Sequence, residues 1–105
     1  MDVLQGTLDL LVLKVLTAGP QHGWAIAQRI RERSESLLQV NQGSLYPALH
    51  RLEDEGWIEG EWLQSETQRR VKAYRLTRGG QKRLSAERDA WRSYARAVEL
   101  ILEGG

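Results

Sequence analysis

NQGSLYPALHRLEDEGWI, residues 41–58, carries two kinds of residue on one helical repeat. Leu45, Ala48, Leu49 and Leu52 recur at i, i+3, i+4, i+7, the spacing that lines apolar side chains along one buried face of a helix. Gln42, Ser44, Tyr46, Pro47, His50 and Arg51 fall largely outside that stripe and are rich in hydrogen-bond donors and aromatic surface. Asn41 is a fitting N-cap, since its side-chain oxygen can take an orphan N–H of the first turn. Pro47 would then press on the carbonyl of Gly43, four residues back, where the strain stays within the first turn. A start at Ser44 places the proline in the first turn instead. Gly56 is a C-terminal glycine stop.

Beyond Gly56 the period changes from 3.6 to 2. Ile58 and Trp62 alternate with Glu59 and Glu61, and RRVKAYRLT alternates again, with Tyr74 and Leu76 on one side and Val71, Ala73 and Arg75 on the other. A polar tip near Ser65 to Gln68 joins the two into a hairpin. Thr77 then caps a helix from about Gly80 to Glu103. Its apolar positions Leu84, Trp91, Tyr94, Val98 and Ile101 step by 7, 3, 4 and 3, a heptad-like seam suited to a second helix.

Upstream, Thr7 caps LDLLVLKVLTAG, which Gly19-Pro20 must stop. That helix is apolar nearly all round, so it needs cover on more than one side, from the C-terminal helix or a second subunit. Gln21 to Ser34 reads as a second helix with Ile26, Ala27 and Ile30 inward, and Glu35 to Val40 as a connection.

At 105 residues the chain suits a single core. It is 41% hydrophobic and 28% charged, the balance of a soluble globular domain, and no apolar run approaches the ~20 residues of a membrane span. Nothing at the N-terminus reads as a signal peptide, so a cytoplasmic location is expected. Cysteine is absent, which excludes disulfide frameworks, thiol nucleophiles and the usual zinc sites. No metal and no cofactor are expected, and no Ser/His/Asp spacing or phosphate-cradling loop suggests an enzyme. The net charge of +1 hides a polar distribution: residues 53–63 carry five acids and no base, whereas residues 64–83 carry seven bases and one acid. The basic block is the footprint of a polyanion-binding surface. The acids read as a solvated helix end and outward strand face, away from any polyanion.

The expected fold is therefore mainly α with a two-stranded β-hairpin: a winged helix-turn-helix over residues 1–78 and a long C-terminal dimerisation helix over 79–105. In that geometry the third helix enters the major groove and the wing meets neighbouring backbone. Gln42 and His50 suit base edges, Ser44, Tyr46 and Arg51 suit phosphates, and short or flat groups such as Pro47 allow close approach. Arg69, Arg70 and Lys72 are the wing's candidate phosphate contacts, and removing Arg70 or Lys72 is expected to flatten the salt dependence of binding by about one unit each. Tyr46 has a plainer reading as packing against helix two.

At these residues the sequence resembles the PadR-type transcriptional regulators along nearly its whole length, from LQGTLDLLVLKVL through GPQHGWAIAQRI to GSLYPALHRLEDEG and, about fifteen residues later, YRLT. The resemblance implies a homodimeric repressor on operator DNA, dimerised by its C-terminal helix, with Ser44, Tyr46, Pro47 and the basic wing touching duplex. Trp24 departs from the family's usual tyrosine after His22-Gly23. The single C-terminal helix places the chain among the short members. Trp91 and Tyr94 read most plainly as seam residues, but in a dimer they are also candidates to line a site for a small aromatic effector. The competing function is a winged-helix protein-docking module without DNA.

Overall fold

The computed structural model describes residues 6–104; Leu4 and Gln5 of the LQGT motif lie outside them. The elements run α1 (Leu8–Val15), a 3-10 turn (Leu16–Ala18), β1 (Gln21–His22), α2 (Gly23–Arg33), α3 (Gln42–Asp54), β2 (Ile58–Gln64), β3 (Arg70–Leu76) and α4 (Arg78–Glu103).

The leucine stripe of residues 41–58 does what its spacing requires. Leu45, Ala48, Leu49 and Leu52 are all fully buried. Leu45, Leu49 and Leu52 join Val12, Leu13, Ile26, Ile30, Ile58, Tyr74 and Leu84 in one core. Asn41 caps α3, its Oδ1 accepting the Ser44 N–H at 2.8 Å, so the earlier of the two possible starts is the one adopted. Pro47 lies inside the helix opposite Gly43, where the absent bond falls in the exposed first turn. The other side of α1 is covered from within the chain, by α4 as well as by α2 and α3.

The sheet differs from the expected two-stranded hairpin. It has three strands in the order β1-β3-β2, with Gln21 opposite Tyr74 and His22 opposite Ala73. Helix two accordingly begins at Gly23 rather than Gln21. The Gln21 side chain donates to the Val15 carbonyl at 2.9 Å, holding two residues extended beside an edge of β3 that would otherwise lack a partner. His22 then caps α2, its Nδ1 accepting the Ala25 N–H at 3.2 Å.

β2 and β3 pair antiparallel from Ile58–Leu76 to Gln64–Arg70. Side chains alternate across a strand, so Ile58, Gly60, Trp62 and Gln64 share a face with Leu76, Tyr74, Lys72 and Arg70. This face turns toward α3. On the opposite face Arg75 Nε donates to Glu59 at 3.0 Å. The tip is closed by Ser65, whose N–H donates to the Arg69 carbonyl at 2.7 Å and whose hydroxyl accepts the Arg69 N–H at 3.2 Å.

Thr77 caps α4, with Oγ1 accepting the Gly80 N–H at 3.0 Å and donating to the Gly56 carbonyl at 2.7 Å. One hydroxyl thus ties the start of α4 to the end of α3. The Arg83 guanidinium, 4.5 Å from the Trp57 ring centroid, reinforces the same joint.

Candidate nucleic-acid interface

With ~100° per residue and a core stripe at Leu45, Ala48, Leu49 and Leu52, the centre of the outward face of α3 falls on Gly43, Pro47, His50 and Asp54. Gln42, Ser44, Tyr46, Pro47, His50 and Arg51 are all exposed, but they divide among three directions. Pro47 and His50 point straight out. Ser44 and Arg51 lie on the flank toward α1, where Arg51 Nη2 meets Asp9 Oδ1 at 2.6 Å. Gln42 lies toward α2, beside Trp24 and Arg31, and Tyr46 lies on the flank toward α2 and the wing. Its ring crosses Gly23 so closely that a Cβ there would sit 3.1 Å from Tyr46 Cε1 and Oη, yet the residue stays 40% exposed. It therefore packs on helix two and faces solvent at once.

Between the start of α2, α3 and the inner face of the wing lies an open notch of ≈ 550 Å³. Trp24, Tyr46, His50, Trp62 and Arg70 stand around it. Trp62 is 56% exposed, with the Arg70 guanidinium 5.1 Å from its ring centroid. An alternating strand predicts the direction of Trp62 but not that it faces α3; the register with Lys72 decides that. Trp24 and His22 also reach this notch, which their place at the start of a helix does not announce. Arg69 is at the wing tip and Arg70 on the inner face, both exposed.

Lys72 stands apart. Its Nζ donates to Glu53 Oε1 at 2.9 Å, and both side chains are partly buried. Glu53 is thus not the solvated acid its neighbours suggested but part of the seam between α3 and the wing. The hydrogen bond to Glu53 raises the Lys72 ammonium above the ordinary 10.5, and burial raises the Tyr74 phenol above 10.0. For Lys72 the folded protein holds its proton more tightly than the unfolded chain, so the stability gained is whole below pH 10.5 and lost as pH rises through the folded value. For Tyr74 the unfolded chain ionises first, which favours unfolding above pH 10.0. Both shifts act in one direction: the urea midpoint is expected to hold steady up to about pH 9.5 and to fall by about pH 11, and Lys72→Met should reduce that fall.

The expected seam on α4 divides in two. Leu84 is 5% exposed and belongs to the chain's own core, so it anchors the helix rather than offering itself to a partner. Trp91, Tyr94, Val98 and Ile101 continue the same helical face beyond the core and are exposed, as is Leu102.

Among the described residues no cluster of three metal-ligating side chains occurs and no helix is long and apolar enough to cross a membrane. Three packed helices, an N-capped third helix with a free polar face, and a basic hairpin turned toward it define a winged helix-turn-helix of the DNA-binding class. Solved structures share the arrangement. A transcriptional regulator from Clostridium thermocellum is 28% identical with a TM-score of 0.83, covering 90% of this chain and 92% of its own. A PadR family transcription regulator from Clostridium difficile is 32% identical with a TM-score of 0.75, covering 91% and 98%. A PadR-like transcriptional regulator from Bacillus cereus is 25% identical with a TM-score of 0.78, covering 96% of each chain. The chain belongs to the transcriptional regulator PadR-like family, whose profile matches residues 12–86. It is a DNA-binding transcription regulator and not an enzyme.

Proposed function

We propose that the protein is a homodimeric repressor of a palindromic operator, with residues 1–78 as the DNA-reading unit and residues 79–105 as the dimerisation helix. The observation that carries the reading is a single surface on which His50 and Pro47 of α3, Arg70 of the wing and the notch between them are all open to solvent. α3 enters a major groove. Gln42 and His50 face base edges, Ser44 and Tyr46 approach phosphates, and Arg69 and Arg70 meet the backbone beside the groove. The guanidinium of Arg70, braced on the indole of Trp62, is pre-oriented for a phosphate.

The second copy pairs through the exposed face of α4. Two-fold symmetry would set the recognition helices about 34 Å apart, one turn of duplex. Repression then follows from occlusion of a promoter. Any cavity left between two such helices is lined by Trp91 and Tyr94, which makes a flat aromatic compound the effector class best matched to it; such a compound releases DNA only if it binds one spacing of the wings better than the other.

Selection of duplexes from a random pool, followed by footprinting, tests the reading. Two symmetric protected half-sites are expected, and a single one would count against the dimer. Arg70→Ala is expected to weaken binding and to lower the slope of log K against log salt by about 0.9. An unchanged slope would remove the wing from the interface.

A further inference from the structure

Glu53, in the last turn of α3, holds both strands of the wing with one carboxylate. Oε1 accepts from Lys72 Nζ on β3 at 2.9 Å, and Oε2 accepts the Gly60 N–H on β2 at 3.2 Å. Gly60 makes this possible. A Cβ there would lie 2.7 Å from Glu53 Oε2 and collide with Lys72 Cε, so any larger residue displaces the lysine stem or the carboxylate. The Lys72 ammonium also lies 5.4 Å from the Tyr74 ring centroid and 5.9 Å from that of Trp62, which fixes it over the inner face. Beyond this point Glu61 to Gln64 are exposed, as are residues 66–70. The outer half of the wing therefore projects with little apolar packing, and its inclination to the recognition helix is set at its base.

We infer that Glu53, Lys72 and Gly60 form a latch that positions the wing for DNA. Lys72 is a positioning residue, its charge neutralised by Glu53 rather than by a phosphate. Arg69 and Arg70 reach the backbone only while the latch keeps the wing at its angle to α3. The inference rests on the DNA-binding reading above and assigns the base of the wing a task different from its tip. Charge alone makes opposite predictions. If Lys72 were a phosphate contact, Glu53→Met would free it and remove a nearby negative charge, tightening binding, and Gly60→Ala, by displacing the lysine stem, would lower the salt slope as loss of a phosphate contact does.

The experiment measures affinity for a selected duplex across a salt series for the full chain, Arg70→Ala, Lys72→Met, Glu53→Met and Gly60→Ala, with thermal unfolding of each. On the latch, Glu53→Met and Gly60→Ala both weaken binding about tenfold while remaining folded. Lys72→Met weakens it to a similar degree without the slope change seen for Arg70→Ala. Exchange of the Gly60 amide hydrogen quickens in Lys72→Met, which leaves its Glu53 acceptor in place, a readout that loss of a phosphate contact alone would not move. Tighter binding by Glu53→Met, or Gly60→Ala indistinguishable from the parent, overturns the latch. Arg70→Ala without effect overturns the wing's part in binding itself, a separate failure.

Discussion

Alanine at Gly80 is expected to destabilise the protein by about 3 kcal/mol, while the same change at Gly79 is expected to be neutral or mildly stabilising. The two glycines are adjacent in the first turn of α4, and composition cannot tell them apart. A Cβ on Gly80 would enter the carbonyl group of Trp57, 3.0 Å from its carbon and nearer still to its oxygen, and would press on Leu76 Cδ1 at 2.7 Å. The carbonyl is committed: it accepts the Thr77 N–H at 3.1 Å. Backbone cannot rotate aside as a long side chain would, so α4 must lift from the turn that joins α3 to β2. That lift also strains the Thr77 cap and the Arg83–Trp57 contact. On Gly79 a Cβ meets nothing nearer than Thr77 Oγ1 at 3.7 Å, and alanine gains the ordinary helix preference of up to about 1 kcal/mol. Urea unfolding of both variants checks the pair. A Gly80→Ala protein as stable as its Gly79→Ala counterpart would mean that this close approach does not exist in solution.

Tyr94→Asp is expected to separate the proposed dimer while sparing the fold of each subunit. Tyr94 is 68% exposed within its own chain, so its replacement removes little intrachain packing and should change monomer stability by no more than the helix propensity of aspartate, about 0.5 kcal/mol. In a two-fold seam the same change buries an unpaired carboxylate, twice. A dissociation constant raised about a thousandfold follows, read by sedimentation over a protein concentration series. Affinity for a two-half-site duplex should fall with it, and affinity for an isolated half-site should not. A variant that stays dimeric would place the interface elsewhere than on this face of α4.

The stripe of Leu45, Ala48, Leu49 and Leu52 was legible because burial of a helix face is a local pattern, fixed by 3.6 residues per turn. The same is true of the Asn41 and Thr77 caps and of the alternation in the two long strands. That Tyr46 stands outside the buried stripe and that the tip of the hairpin is basic and exposed could be read from residue type and position. What could not be read were the partners. Arg51 and Asp9 are 42 residues apart and Lys72 and Glu53 are 19 apart, and no periodicity records which flank of one element meets which flank of another. β1 is two residues long, too short to alternate; it is a strand only because β3 offers it an edge.

The sequence by itself therefore determined the four helices, the two long strands, the core and the family, since these follow from short-range patterning, capping chemistry and the GSLYPALHRLEDEG and YRLT motifs. The tertiary structure alone decided which side chains remain available: Arg70 is open beside Trp62, Lys72 is held by Glu53, and Leu84 is enclosed while Tyr94 is not. The reason is that a charge or an apolar surface acquires its role from what lies within a few ångströms of it, and those neighbours come from distant parts of the chain.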